Sequence, residues 1–138
     1  MTVTIFHNPA CGTSRNTLAA IRASGVEPTV VEYLKTGWTR DQLHDLLGRL
    51  GKAPRDILRV KGTPAAELGL TDPAAGDDAI LDAMVAHPVL VERPIVVSPQ
   101  GAVLARPSEK VFDILDNPPA EFVKEDGERV LPGNAPKG

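Results

Sequence analysis

Cysteine is almost absent from this chain: Cys11 is the only one among 138 residues. A single cysteine forms no internal disulfide, so the sequence excludes a small secreted scaffold held together by disulfides. If Cys11 takes part in redox chemistry, the second thiol must come from another molecule. The chain has only three histidines, and none is closely paired with the cysteine. The sequence therefore predicts no metal site.

Long apolar runs and a strong charge of either sign are missing as well. No apolar segment approaches the roughly 20 residues that a membrane-spanning helix needs, and the first residues lack the basic and apolar regions of a signal peptide. The net charge of -3 gives no basic footprint for nucleic acid. We therefore expect a cytoplasmic, monomeric protein without nucleic-acid or membrane partners. What is present is the composition of one ordinary globular domain, 42% hydrophobic and 24% charged.

The predicted elements follow the order β-α-β, then a block of helices, then β-β-α. Residues 3–6 and 29–33 predict two strands around a helix, which together make a parallel βαβ unit. Residues 95–97 and 102–105 predict a hairpin, and a last helix is predicted from Pro107 onward. We interpret this order as an α/β, thioredoxin-like fold with a mixed sheet and an inserted helical block.

The domain boundaries follow from the same pattern. We expect residues 1–116 to form the catalytic domain, with a helical insertion at about 39–88. Inside it, Thr39 to Gln42 matches a capping box that starts a helix closed by Gly51, and residues 65–68 predict a further short helix. Residues 117–138 contain several prolines and glycines, and we expect them to form a partly flexible C-terminal tail.

The lone cysteine lies in the segment His7-Asn8-Pro9-Ala10-Cys11-Gly12-Thr13-Ser14-Arg15-Asn16, between the first strand and the helix that Ser14 is predicted to cap. The surrounding residue types are typical of a loop and a helix start rather than of a core. Backbone N–H groups at a helix N-terminus favour a thiolate and can hold an anion. We therefore predict that Cys11 is a nucleophile beside an oxyanion site, with Gly12 and Thr13 lining that site.

Ser14 and His7 are candidates for adjusting the reactivity of the cysteine. Ser14 occupies the position of the second cysteine in a usual thioredoxin-type site. Its hydroxyl can donate a hydrogen bond to a thiolate but cannot resolve a disulfide, which indicates a monothiol mechanism. His7 either contributes positive charge to the thiolate or hydrogen-bonds the loop, and the sequence leaves both possibilities open.

Two arginines stand out because each precedes a proline at the end of a predicted strand. Arg93 lies before the third strand and Arg106 after the fourth. In a thioredoxin-like fold the residues before the third strand lie against the active cysteine, often with a cis proline, for which Pro94 is the candidate. The planar guanidinium suits a tetrahedral oxyanion. Spacing alone does not show that the two arginines converge on Cys11.

The cysteine segment resembles the active-site loop of the glutaredoxin-coupled arsenate reductases. The resemblance covers roughly residues 3–115 and continues through Glu67-Leu68-Gly69-Leu70, His87-Pro88, Arg93-Pro94-Ile95-Val96-Val97 and Arg106-Pro107-Ser108-Glu109. It implies that Cys11 attacks arsenate, that His7 and Ser14 tune the sulfur, and that the oxyanion is held by Arg59, Arg93 and Arg106. It further implies no tightly bound cofactor: glutathione is the co-substrate that reduces the arsenic, and glutaredoxin clears the resulting mixed disulfide.

Two other classes of protein stay open. The same fold occurs in proteins resembling redox-responsive regulators that bind RNA polymerase. Those typically carry Cys-x-x-Cys or lack the arginines, whereas here Ser14 replaces the second cysteine and Arg93 and Arg106 are both present. The third class is a general glutathione-dependent monothiol reductase acting on glutathionylated proteins. Binding of arsenate at Cys11 would distinguish an arsenate reductase from such a general monothiol reductase.

Overall fold

The computed structural model describes residues 1–132. Within them the chain forms two compact units. The first combines Met1–Glu32 with the chain from Arg93 onward, and the second is Tyr33–Glu92. The insertion predicted at about 39–88 lies within the second unit. The first unit holds the cysteine, so its strands and helices position the candidate site.

A four-stranded mixed sheet forms the centre of the first unit. Its strands are β1 (Thr4–Phe6), β2 (Thr29–Val31), β3 (Ile95–Ser98) and β4 (Gly101–Leu104), arranged in the order β2-β1-β3-β4. β1 pairs with β2 in parallel, while β1 with β3 and β3 with β4 pair antiparallel. Helix α1 (Gly12–Ala23) connects the parallel pair. This arrangement confirms the prediction of an α/β fold with a mixed sheet.

The core of the first unit is made by β1, β3, α1 and a 3-10 helix that spans Ser108–Ile114. The sequence correctly predicts a helix here with an apolar inner face. The helix is a 3-10 helix and not the predicted α-helix, and Pro107 is its N-cap. Ser108, Val111 and Ile114 are all buried, and this spacing of three residues matches the three-residue turn of a 3-10 helix. The core side chains are Val3, Ile5, Ala20, Ile21, Val96, Ala105, Val111, Phe112, Ile114, Leu115 and Phe122.

Two predicted boundaries near the cysteine are wrong. Helix α1 begins at Gly12, with Cys11 as its N-cap, so Ser14 lies inside the first turn and does not cap it. The second strand ends at Val31, and Tyr33 begins the short helix α2 (Tyr33–Thr36) of the second unit. The Tyr33 ring is buried there and stacks on Trp38 with 5.1 Å between ring centroids, a contact that stabilises Tyr33 in the second unit.

The second unit is helical. After α2 come α3 (Arg40–Leu50), a 3-10 turn at Pro54–Ile57, α4 (Asp77–Ala86) and a 3-10 turn at Pro88–Leu90. The predicted capping box is confirmed: Gln42 N–H donates to Thr39 Oγ1, while the Gln42 side chain accepts from Thr39 N–H. Gly51 ends α3 in the left-handed region, at φ 65°, as predicted.

The helix predicted over residues 65–68 is absent, and the chain makes turns there. Leu68 N–H donates to the Pro64 carbonyl, a single helical hydrogen bond that does not propagate. Gly69 follows with φ 76°, which stops the turn at once. A one-turn helix between Pro64 and Gly69 lacks the length over which helix formation becomes cooperative.

Part of the predicted C-terminal tail folds into a β-hairpin. β5 (Phe122–Val123) pairs antiparallel with β6 (Arg129–Val130), and Phe122 joins the core of the first unit. Gly127 takes φ 93° in the turn between the strands, a conformation that glycine adopts at low cost. The last part of the expected flexible tail, residues 133–138, lies outside the described residues. Along residues 1–132 there is no helix with the length and apolar character needed to cross a membrane.

Candidate active site

Cys11 lies at the start of α1, on the loop that leaves β1. Its backbone is extended, with φ -98° and ψ 122°, its N–H donates to the Asn8 carbonyl at 3.0 Å, and its own carbonyl accepts from Arg15 N–H at 2.9 Å. The residue is 9% exposed. This N-cap position directs the side chain toward the backbone N–H groups of the first helical turn, which lack partners inside the helix.

The surroundings of the sulfur lower the pKa of the Cys11 thiol. Burial by itself raises this pKa, but the backbone N–H of Ser14, the side chain of Arg93 and the backbone N–H of Thr13 together outweigh it. Each of these groups stabilises the thiolate by a hydrogen bond or by positive charge. The thiolate form of Cys11 is thus more accessible than that of an ordinary cysteine, and Thr13 and Ser14 act on it through the backbone.

Arg93 is the arginine that contacts the cysteine. Its side chain hydrogen-bonds Cys11, and the Arg93-Pro94 peptide bond is cis, as the sequence analysis suggested for Pro94. The Nε–H of Arg93 is buried and has no acceptor within residues 1–132. Buried donors nearly always find an acceptor. This guanidinium N–H next to Cys11 is therefore suited to donate a hydrogen bond to an anionic oxygen.

Arg106 contacts the backbone of Arg93. Its Nη1 donates to the backbone carbonyl of Arg93 at 3.0 Å, and its peptide bond to Pro107 is also cis. The structure therefore brings Arg106 to the segment that carries Arg93, where it contacts the Arg93 backbone, and Arg93 contributes to the lowered thiol pKa.

His7 and Ser14 contact each other. The distance from His7 Nδ1 to Ser14 Oγ is 2.6 Å, and Asn8 N–H donates to the same oxygen at 3.0 Å. His7 N–H also donates to the Val31 carbonyl at 2.8 Å. Of the two possibilities left open for His7, hydrogen bonding of the loop is the one found. The Ser14 hydroxyl, which we expected to face the thiolate, is engaged by His7 and Asn8 instead.

Burial is the main cause that lowers the pKa of His7. Glu32 opposes this effect, and the charges of Arg22 and Arg15 add to it. A histidine with a lowered pKa is mostly neutral at neutral pH. A neutral His7 ring adds no positive charge to the thiolate, and its Nδ1 shares a hydrogen bond with the Ser14 hydroxyl.

Arg59 belongs to the second unit. Its Nη1 donates to Glu92 Oε1 at 2.8 Å, with side chains 17% and 22% exposed. Its N–H donates to the Leu90 carbonyl at 2.7 Å, and its carbonyl accepts from Thr63 Oγ1 at 2.7 Å. The guanidinium is therefore paired with a carboxylate of its own unit.

Arg15 and Glu125 complete the surroundings of Cys11, and the sequence did not single them out. Arg15 Nε and Nη2 donate to the two oxygens of Glu125 at 3.0 and 2.7 Å, and Arg15 Nη1 donates to the Pro9 carbonyl at 2.9 Å. A side-chain Cβ built on Gly12 would lie 3.1 Å from Glu125 Oε1. No sequence signal joins Glu125 to the cysteine, because 110 positions separate it from Arg15.

Taken together, these residues place a thiol of lowered pKa beside groups that can bind an anion. Cys11 supplies the thiol, Thr13 and Ser14 supply backbone N–H groups, and Arg93 supplies a cation with a buried donor. Such a site can attack an electrophilic centre that carries anionic oxygens. Along residues 1–132 no group of three or more His, Cys, Asp or Glu side chains is arranged to hold a metal ion.

The sheet order and the cysteine at the N-cap of the first helix define a single-cysteine protein of the thioredoxin-like class. The sequence pattern of the ArsC family matches residues 6–114. The chain is 59% identical to an arsenate reductase of Rhizobium meliloti (strain 1021) over 132 residues, which are 95% of this chain and 94% of that protein. It is 53% identical to an arsenate reductase of Escherichia coli over 130 residues, covering 94% and 92%.

A solved structure of an arsenate reductase from Vibrio cholerae superposes with a TM-score of 0.80 at 43% identity, covering 83% of this chain and 98% of that one. The chain belongs to the ArsC family. The resemblance seen in the cysteine segment is thereby confirmed at the level of the family, and the thioredoxin-like fold with it.

Proposed function

We propose that this protein is an arsenate reductase in which the Cys11 thiolate attacks arsenate. The observation that carries the proposal is the lowered pKa of a buried thiol that contacts Arg93 and two backbone N–H groups. Similar proteins over nearly the whole chain are named arsenate reductases, which supports the choice of substrate. Arsenate is a tetrahedral oxyanion, and the donors around Cys11 match its charge.

In the first step the thiolate forms a bond to arsenic, and one arsenate oxygen leaves as water after protonation. Arg93 holds an oxygen of the adduct through its buried Nε–H, while the N–H groups of Thr13 and Ser14 stabilise the thiolate before attack. Gly12 lines the site, and Arg106 supports it by fixing the Arg93 backbone. Donors already in place accelerate reaction because no reorganisation is needed.

The second step needs an external thiol, because Cys11 is the only cysteine. We propose glutathione as this co-substrate. Its thiolate attacks the Cys11 sulfur, a sulfur–sulfur bond forms, and the sulfur–arsenic bond breaks with its electron pair passing to arsenic. Arsenic is thereby reduced by two electrons and leaves as arsenite, while Cys11 and glutathione are oxidised to a mixed disulfide.

The last step restores the thiolate. We propose that glutaredoxin attacks the glutathione sulfur of the mixed disulfide and releases Cys11. Ser14 offers no thiol for an internal resolving step, since it stands where a second cysteine would be. No tightly bound cofactor takes part in this scheme. The cytoplasmic location and the monomeric state stay predictions, as does the contribution of Arg59 to oxyanion binding.

The test is a coupled assay with purified protein, arsenate, glutathione and glutaredoxin, in which each component is omitted in turn. We expect arsenite only when arsenate and glutathione are present, and sustained turnover only with glutaredoxin. Cys11→Ser is expected to abolish the reaction without unfolding the protein. Arg93→Ala is expected to raise the pKa of Cys11 and slow turnover many-fold, whereas Arg129→Ala, which removes an exposed arginine paired with Glu121, should leave both unchanged.

Other results would contradict the proposal. Deglutathionylation of proteins without arsenate reduction would indicate a general monothiol reductase. Stable association with RNA polymerase, without arsenate-dependent oxidation of glutathione, would indicate a regulator. Full activity of the Cys11→Ser variant would remove Cys11 as the nucleophile.

A further inference from the structure

The C-terminal hairpin brings a carboxylate to the start of the cysteine helix. Glu125, between β5 and β6, accepts two hydrogen bonds from Arg15, and its N–H donates to Asn16 Oδ1 at 2.9 Å. The Arg15 pairing is of the two-pronged kind that fixes orientation as well as distance. The ArsC family pattern ends at residue 114, so this carboxylate lies beyond the segment that the pattern covers.

The hairpin is held in place independently of Arg15. Lys124, the neighbour of Glu125, pairs with Glu109 Oε2 at 2.6 Å and also with Glu128, and only 10% of its side chain is exposed. Phe122 packs edge-on against Phe112 with 5.8 Å between ring centroids. Phe122 and Lys124 therefore anchor the strand that leads directly into Glu125, so the carboxylate that holds Arg15 extends from a backbone packed on the first unit.

Arg15 transmits this fixed position to the cysteine loop. Its Nε and Nη2 are bound by Glu125, while its Nη1 donates to the carbonyl of Pro9, two residues before Cys11. The loop from Asn8 to Cys11 is closed by the hydrogen bond from Cys11 N–H to the Asn8 carbonyl. Arg15 thus connects the hairpin, the first turn of α1 and the loop that carries the sulfur.

We propose that Glu125 is a positioning residue of the cysteine site: it holds Arg15 across the first turn of α1, and Arg15 in turn fixes the Pro9 carbonyl and the Cys11 loop. The proposal deepens the proposed function, on which it rests for its substrate. Because Glu125 lies against Gly12, its loss frees the loop at the place where the sulfur must face the backbone N–H groups.

The alternative role for Glu125 is to compete with the substrate oxyanion for Arg15. The two roles predict opposite changes in the reactivity of Cys11 when Glu125 is removed. If Glu125 positions the loop, its removal slows reaction at Cys11 and weakens use of arsenate. If it competes, its removal leaves a less negative site, which reacts faster and has a lower KM. The full set of anchors on the hairpin favours the positioning role.

The experiment compares Glu125→Gln with wild type in two assays on the full chain: the rate of Cys11 alkylation by iodoacetamide across pH, and kcat and KM for arsenate. Glutamine keeps the size but offers one acceptor in place of two, so one N–H of Arg15 loses its partner. We expect alkylation at neutral pH to slow several-fold and kcat/KM to fall about tenfold, within the hundredfold range that misplacement of reacting groups can reach.

Two further variants separate positioning from general loss of charge or stability. Glu121→Gln removes a carboxylate of the same hairpin that pairs with Arg129, and both assays should match wild type. In an Arg15→Ala background, Glu125→Gln should have no further effect, since alanine offers Glu125 no donor. Thermal unfolding of each variant shows whether it is folded at the assay temperature.

Wild-type rates in Glu125→Gln, faster alkylation with a lower KM, or a full Glu125→Gln effect in the Arg15→Ala background would each overturn the proposal. The alkylation assay uses no arsenate. If the wild-type protein reduces no arsenate, the proposed function fails, and the alkylation rates still decide whether Glu125 positions the cysteine loop.

Discussion

At the scale of single residues, the reactivity of Cys11 depends on backbone geometry and on one arginine. Thr13 and Ser14 act through backbone N–H groups that any residue except proline would supply at those positions, while Arg93 supplies the charge. The polar side chains of His7 and Ser14 pair with each other. Their role is to fix the loop, because a buried hydrogen bond between them holds the end of β1 against the first turn of α1.

The pairing of His7 with Ser14 predicts a pH dependence of stability. Burial lowers the pKa of His7 in the folded chain, below its unfolded value of about 6.5. The unfolded state therefore binds the proton first as pH falls. The stability contributed by neutral His7 is complete above the unfolded pKa and is lost as pH falls from there toward the folded pKa.

We expect the free energy of unfolding, measured with denaturant from pH 8 down to pH 5, to decrease below about pH 6.5 in the wild type. His7→Gln should flatten this decrease, because glutamine has no proton to bind. His44→Gln is the matched control, since His44 is exposed on α3. An unchanged pH profile in His7→Gln would show that His7 is not held neutral by the fold.

At the scale of elements, the sequence predicts what depends on local chemistry. The capping box of Thr39 and Gln42 and the glycine that ends α3 were found where they were predicted, because caps depend on neighbours a few residues away. The 3-10 type of Ser108–Ile114 could not be predicted, because it follows from packing on the rest of the first unit. The hairpin was missed since each of its strands has only two residues.

The capping box predicts a measurable loss when its hydroxyl is removed. In Thr39→Ala the Gln42 N–H loses its acceptor at the start of α3, so we expect the free energy of unfolding to fall by about 1 kcal/mol. Thr39→Ser keeps the hydroxyl and should lie close to the wild type. Both variants should keep the activity of the cysteine site. A Thr39→Ala protein as stable as Thr39→Ser would show that the cap does not stabilise the helix.

At the scale of the whole molecule, the candidate site is assembled from three segments far apart in sequence. The cysteine loop could be predicted because its residue types are unusual and adjacent, and Arg93 because a proline marks the turn it precedes. Glu125 could not be predicted, because its contact with Arg15 exists only once the hairpin packs on the core. The candidate nucleophile and one cation beside it could therefore be predicted from the sequence, while the contacts that support them follow from the folded chain.

Because the chain has a single thiol, the proposed scheme predicts one defined protein adduct when turnover is interrupted. With arsenate and glutathione but without glutaredoxin, the proposed scheme stops at the mixed disulfide of Cys11 and glutathione. We expect intact-mass measurement to find one glutathione added per chain, only when arsenate is present, and removed by glutaredoxin. Cys11→Ser should gain none. Because Cys11 is the only cysteine, the adduct has one possible site. A chain that turns over arsenate without ever carrying glutathione would require a different reductant.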